Sequence, residues 1–315
     1  MKKINKLSCI VIGLGNIGMG YDIDEGNLDI IQTHCRAIEL HPMFELMGAV
    51  EPDISLQKLF SKKYKKPVFG QVNTALDQLS ADIYVLACPT NLHFSVLKSI
   101  LEKDKPQVIL CEKPLSYQLD EAKEMIQMCE SKGVQLLVNY IRRSDLGAIE
   151  IKRKIDVEEI QSPIKGICYY SKGFLHNGSH FLNVLKYWLG DVKQFKELSN
   201  GKQLNQFDAE PDLYVSFEKG DVVFMSTWDQ LNPYHAIELV SKSSKLSYLN
   251  GGELIEWRDR RNSDNVYIIE NSMHRYQWQV FDNIAHLLNG NAFYALCSAG
   301  EAYETLSDCK KMLNL

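Results

Sequence analysis

The sequence predicts an α/β fold in which an N-terminal doubly wound parallel sheet is followed by an α/β domain built on an open antiparallel sheet. Three observations carry this. The apolar, β-branched run Leu7-Ser8-Cys9-Ile10-Val11-Ile12 leads straight into Gly13-Leu14-Gly15-Asn16-Ile17-Gly18, the pattern of a strand, a tight turn and a helix. Strand-like and helix-like patterns then alternate as far as residue 138, which calls for parallel strands with crossover helices. From about residue 145 short strands follow one another through short turns, which calls for antiparallel pairing.

In the first domain the strands are expected at 7–12, 44–50, 83–88, 107–111 and 134–138, with helices at 30–40, 54–64, 93–103 and 119–131. Asp120, Glu121 and Glu124 load the start of the last helix with acid, as the helix dipole favours. The polar stretch Asp22 to Asp29 interrupts the expected first helix and reads as a loop inserted ahead of the helix carrying His34 and Ala37. The second domain begins with helical periodicity at 145–155, a strand at 164–171, and a helix at 178–189 with Phe181, Val184, Leu185 and Trp188 on one face. Strands follow at 192–198, 211–218, 221–228, 236–241, 245–249, 253–258 and 265–269, then helices at 274–289 and 299–313. Glu218-Lys219-Gly220-Asp221 signals a hairpin turn. The domains are therefore placed at 1–143 and 144–315. Within 221–228, Val222 and Phe224 face one way and Val223 and Met225 the other, so both faces are apolar. One face packs on the domain's own helices. The other calls for a second cover, most simply another subunit, and so for a homodimer or homotetramer through this sheet.

The chain has 315 residues, 45% hydrophobic and 24% charged, with a net charge of −5. That balance argues against a nucleic-acid binder. The dense basic run Lys62-Lys63-Tyr64-Lys65-Lys66 precedes Pro67 and reads as a solvated helix end. No apolar run approaches the ~18 residues of a membrane span, and Met1 to Lys6 has no long apolar segment behind it, so neither membrane nor leader is expected. The eight cysteines show no C-x-x-C pair, and Cys9, Cys88 and Cys111 sit in apolar runs. They read as reduced, buried side chains of a cytoplasmic protein, with no metal site.

Three places carry chemistry. In the glycine turn the first glycine permits the turn, the second lets the backbone approach a pyrophosphate, and the third lets helix and strand pack. Gly13, Gly15, Asn16, Ile17 and Gly18 are thus candidate dinucleotide contacts, with the phosphates at a helix N-terminus. Glu51, in Glu51-Pro52-Asp53 at the end of the second strand, suits hydrogen bonds to the adenosine ribose and repels a 2′-phosphate, which favours NAD and leaves NADP open. Cys88-Pro89-Thr90-Asn91-Leu92-His93 and Cys111-Glu112-Lys113-Pro114 follow buried strands, at the carboxyl ends of sheet strands, where such folds bind ligands. Desolvation and a nearby cationic ring would lower the pKa of Lys113 toward neutrality. The third place is His176-Asn177-Gly178-Ser179-His180-Phe181-Leu182-Asn183, where a helix beginning by residue 177 would project His180 and Asn183 from its first turn.

Taken together, Gly13–Gly18, Thr33-His34-Cys35-Arg36-Ala37, Cys88–His93, Glu112-Lys113-Pro114, Asn139-Tyr140-Ile141-Arg142-Arg143 and Gly178-Ser179-His180 resemble the glucose–fructose oxidoreductase / inositol dehydrogenase (Gfo/Idh/MocA) family. The resemblance runs from residue 13 to 183. It implies a Rossmann domain, an NAD(P)-dependent oxidoreductase of sugars and their derivatives, and catalytic roles for Lys113 and His180. It also implies cofactor contacts from Pro89, Thr90, Asn91, His93, Glu112 and Lys113, and substrate contacts from Lys113, Arg142, His176, Asn177, His180 and Asn183. The family often has aspartate where this chain has His176 and Asn183, so the usual carboxylate beside the catalytic histidine is missing. Members with the His-Asn-Gly-Ser-His form look like enzymes of surface-polysaccharide and sugar-nucleotide pathways.

The expected activity is interconversion of a secondary alcohol and a ketone on a sugar or nucleotide sugar. Two other readings stand beside it: transient oxidation by a tightly held NAD with no net redox change, and a non-catalytic NAD sensor.

Overall fold

The computed structural model describes residues 6–227, 234–260, 265–291 and 295–315. Met1–Asn5, over which no leader is expected, and residue 228, at the end of an expected strand, lie outside them. The chain forms two compact units. One is the chain through Tyr140 together with His274–Tyr303; the other is Ile141–Met273 together with Glu304–Leu315. This corrects the division at 143/144. Residues 274–303 return to the first unit, because Ile31 pairs its main chain with His274 and Gln277 (3.1 and 3.3 Å) and Cys297–Ser298 joins the sheet.

The first unit contains β1 (Leu7–Ile12), α1 (His34–Leu40), β2 (Phe44–Val50), α2 (Ile54–Tyr64), β3 (Val68–Phe69), α3 (Val72–Leu76), β4 (Ile83–Leu86), α4 (His93–Lys103), β5 (Val108–Cys111), α5 (Leu119–Lys132) and β6 (Gln135–Val138). The strands lie in the order β6-β5-β4-β1-β2-β3, all parallel, with Cys297–Ser298 antiparallel on the β6 edge. β1 and β4 are neighbours, so the strand order reverses between them, and ligands of such sheets bind at that point. β4 and β5 are buried along their whole length, as a sheet covered on both faces requires. β3, α3 and Cys297–Ser298 are too short to show periodicity and were not expected.

α1 starts at His34 rather than at 30. Asp22, buried in the inserted loop, accepts the Gln32 and Thr33 N–H groups (2.7 and 3.0 Å) and the Thr33 hydroxyl (2.6 Å). Thr33 is then the N-cap, its hydroxyl receiving Arg36 N–H. Arg36 turns back to donate to the carbonyls of Glu25 and Asn27, both at 2.8 Å. The insertion is thereby fastened at its start, middle and end.

The second unit contains α6 (Leu146–Asp156), β7 (Ile164–Tyr170), α7 (Ser179–Leu189), β8 (Val192–Asn205), β9 (Asp208–Phe217), β10 (Gly220–Ser226), β11 (Ala236–Val240), β12 (Ser244–Leu249), β13 (Leu254–Asp259) and β14 (Asn265–Ile268). The sheet order is β14-β13-β12-β11-β7-β10-β9-β8. Its pairs are antiparallel except β7 with β10, which run parallel. That exception arises because α7 and the β8–β9 hairpin lie between the two in sequence, forming a crossover. β8 runs well past its expected end at 198, with irregular register against β9 and nearly every residue exposed. Phe181, Val184, Leu185 and Trp188 of α7 are fully buried, and the Trp188 indole donates to Ala148 O at 2.9 Å. On β10 Val222 and Phe224 are buried while Met225 is 40% exposed. The final helix, Ala299–Met312, contains the division between the units.

Candidate functional site

In the first unit the three glycines differ as their roles require. Gly13 has φ +98°, and a Cβ there would stand 2.6 Å from the Ala87 main chain. A Cβ on Gly18 would stand 2.1 Å from Gly13 O, so this glycine permits close packing. A Cβ on Gly15 would meet nothing within 4 Å. The turn thus has one open face, where a pyrophosphate can reach main-chain N–H groups. These residues fit a bound dinucleotide. The segment that follows is one wide turn, Asn16–Gly20, closed by Gly20 N–H to Gly15 O and Tyr21 N–H to Asn16 O. The inserted loop expected after Asp22 follows this turn, so the first α-helix starts only at His34.

Glu51 is buried against this turn, one carboxylate oxygen accepting Leu14 N–H at 2.7 Å and the other Asp53 N–H at 3.0 Å. Two strands away, Glu112 N–H donates to Leu86 O, so the turn after β5 is tied to β4. The Glu112 carboxylate accepts from His34 Nε2 at 2.8 Å and Asn139 Nδ2 at 2.7 Å, and the Asn139 amide also reaches Gln277 Oε1 at 3.3 Å. Burial alone would raise the Glu112 carboxyl; the His34 hydrogen bond and charge, Asn139 and the Lys113 ammonium together hold it below its ordinary range. Lys113 is half-buried on the same turn. Sequence reasoning missed Gln277, which lies 138 positions from its partner, and gave no role to His34 or Asn139 beyond their motifs.

Pro89 and Asn91 are exposed and Thr90 half-buried, on the turn after β4. His93 differs from expectation. Its ring is fully buried, with Nε2 3.0 Å from Cys88 O and Nδ1 3.1 Å from Leu115 O and 3.2 Å from Cys111 Sγ. Burial lowers its pKa. His93 thus clamps the β4 and β5 turns to each other, and any part it has in holding a cofactor is through those turns.

In the second unit α7 is preceded by another wide turn, Phe174–Gly178, so the helix proper starts at Ser179 rather than by 177. His180 is buried in the first turn of α7. His176 is exposed, and its main-chain N–H donates to Asp208 Oδ2 at 2.8 Å, while Leu175 N–H donates to Oδ1 at 2.7 Å. Burial raises the Asp208 carboxyl above its ordinary range, against the pull of those N–H groups. Asn183 is buried and donates to Thr305 Oγ1 at 3.0 Å. Its amide nitrogen is thus held by the last helix. The Arg142 guanidinium carbon lies 4.6 Å over the Phe181 ring.

Asn177 Nδ2 donates to Ser171 O and lies 2.9 Å from His235 Nε2, which the Ser171 hydroxyl also approaches at 3.0 Å. His235 was not expected from sequence, since no motif surrounds it. Burial, then the charges of Arg142 and Lys172, push its pKa from 6.5 down to about 4. Its Nε2 therefore accepts from both donors. The folded protein binds this proton less readily than the unfolded chain, so stability falls as pH drops from 6.5 to about 4. An NMR titration of the His235 ring should give a midpoint near pH 4; a midpoint of ~6.5, the unperturbed value, would show that Nε2 is not so held.

Among the described residues no helix is long and apolar enough to cross a membrane, and no group of three His, Cys, Asp or Glu side chains is placed to hold a metal ion.

Residues 7–140 match the model of the Gfo/Idh/MocA oxidoreductase family, NAD-binding Rossmann fold. Among curated relatives, scyllo-inositol 2-dehydrogenase (NAD(+)) of Bacillus subtilis is 24% identical over 69% of this chain and 65% of its own length. Inositol 2-dehydrogenase of Mycolicibacterium smegmatis is 35% identical over 30% of this chain and 28% of its own. The chain thus matches less than two thirds of either relative. The crystal structure of the WlbA dehydrogenase from Bordetella pertussis, in complex with NADH and UDP-GlcNAcA, aligns with a TM-score of 0.77 at 14% identity, over 98% of this chain and 96% of that one. The match over residues 7–140, which takes in the glycine turn and Glu112-Lys113-Pro114, gives this part of the chain the NAD-binding Rossmann fold of the Gfo/Idh/MocA oxidoreductase family model.

Proposed function

We propose that the chain is an NAD-dependent oxidoreductase that interconverts a secondary alcohol and a ketone on a sugar or nucleotide sugar. The observation that carries this reading is the Glu112 carboxylate, fixed by His34 and Asn139 beside Lys113, at the same carboxyl-terminal end of the sheet strands as the open face of the glycine turn. NAD supplies the hydride acceptor or donor. Gly13, Gly15, Asn16, Ile17 and Gly18 give their main chain to its phosphates, Glu51 accepts from the adenosine ribose, and the turn Pro89-Thr90-Asn91 borders it. The Glu51 carboxylate beside the turn favours NAD over NADP by repelling a 2′-phosphate. Lys113 orients and polarises the reacting oxygen, and His180 exchanges its proton. Arg142, His176 and Asn177 contact the rest of the substrate. The names of the inositol dehydrogenases, and the nucleotide sugar bound to the Bordetella enzyme, support a polyhydroxylated substrate. Surface-polysaccharide synthesis is the finer assignment.

The eight free thiols, seven of them buried, support a reducing cytoplasmic setting. The exposed Met225 face of β10 supports a homo-oligomer through the second sheet.

The test is thermal stabilisation by NAD and by NADP, followed by NADH formation with a panel of sugars and nucleotide sugars. Stabilisation by NAD and NADH formation with a panel member are expected. Stabilisation by neither dinucleotide overturns the cofactor assignment. Product release without net NADH would point to transient oxidation, and NAD binding without any turnover to a sensor.

A further inference from the structure

We infer that Asp208 is a positioning residue for His180, acting through the main chain of the wide turn that leads into α7. The inference rests on the reading of His180 as the proton-exchanging group.

Asp208 comes from the start of β9, far from α7 in sequence, and is 5% exposed. Each of its oxygens holds one main-chain N–H of the turn, Leu175 and His176. N–H groups at the start of a helical segment lack carbonyl partners within it, and a carboxylate satisfies them while facing the positive end of the dipole. Glu210, two residues along the same strand and fully buried, takes Gly173 N–H at 3.2 Å. Two carboxylates of one strand therefore hold three N–H groups of this short segment. Gly173 makes the approach possible: its φ is +90°, and a Cβ there would lie 2.1 Å from Asp208 Oδ2.

The turn runs into α7 without a break. Asn177 and Gly178 N–H both close on Gly173 O, and Ser179 begins the helix. The direction of the first turn of α7, which carries His180, is thus set by where Asp208 and Glu210 seat residues 173–176. The chain has no carboxylate side chain at position 176; Asp208 delivers one to that residue's own N–H from another strand. A displacement of ~1 Å at a reacting group can cost ~10²-fold in rate.

The experiment is a double-mutant cycle of Asp208→Asn and His180→Ala, with kcat, substrate KM and NAD affinity as readouts. Asparagine keeps the size of aspartate but offers one acceptor oxygen in place of two. Asp208→Asn should lower kcat by ~10- to 100-fold with NAD affinity unchanged, and should add nothing to the residual rate of His180→Ala. An equal loss in both backgrounds would mean a merely structural role and would overturn the inference. So would full kcat in Asp208→Asn alongside an inactive His180→Ala. Full kcat in His180→Ala would instead remove the catalytic reading of His180 and the inference with it. If Asp208→Asn does not fold, Gly173→Ala carries the same cycle. It displaces the carboxylate without removing it, with the same kcat loss expected and an unchanged kcat overturning the proposal.

Discussion

Lys113→Ala should lower turnover by about 10²- to 10⁴-fold, the range for losing a positioned proton-transfer or polarising group. NAD affinity should change little. In the proposed reading the dinucleotide is gripped by main-chain groups of the glycine turn after β1 and by Glu51 after β2, whereas Lys113 follows β5. The turn itself should keep its shape without the ammonium, since Glu112 N–H is bonded to Leu86 O and the Glu112 carboxylate to His34 and Asn139. Lys113→Arg keeps the charge but replaces a compact ammonium by a planar fork, so it should stay well below wild type. Steady-state kinetics with a cofactor titration checks both. A Lys113→Ala protein that keeps most of its kcat would end the proposed mechanism.

The second large effect separates two glycines of one motif. Gly15 has φ −63° and ψ −161°, open to any residue, and space where a Cβ would sit. Gly15→Ala should therefore fold with stability within about 0.5 kcal/mol of wild type, yet place a methyl group where the phosphates must come, lowering NAD affinity by about tenfold or more. Gly18→Ala drives a methyl against Gly13 O, a main-chain atom that cannot swing aside. Overpacking of this kind costs about 1–3 kcal/mol or more. Urea denaturation without cofactor should rank the two proteins in that order. Equal destabilisation would contradict the assignment of roles.

The centre of the first sheet was legible because β4 and β5 are buried on both faces and so read as unbroken apolar runs. The site turns were legible because they sit at the ends of those runs. What it concealed has specific physical causes. α1 lost its first turn to Asp22, a side chain whose capture of Gln32 and Thr33 no periodicity announces. β7 and β10 run parallel because of what lies between them, which local patterns do not encode. His93 looked like a ligand contact because it follows a site turn, but both ring nitrogens meet main-chain carbonyls. Gln277, His235 and Asp208 reach their partners across 138, 58 and 32 positions, with no motif around them.

The return of residues 274–303 to the first unit bears on the order in which the protein can be made. During synthesis β1 to β6 leave the ribosome early, yet Gln277 and Phe281, which meet Asn139 and His34, and the strand that covers the β6 edge arrive only after the whole second sheet. Until then the nascent first unit carries an uncovered strand edge, the kind of surface that recruits other chains. A polypeptide released after Tyr140 would keep that edge permanently, so the NAD-binding half is not a module that can be cut out at a single point and passed between proteins.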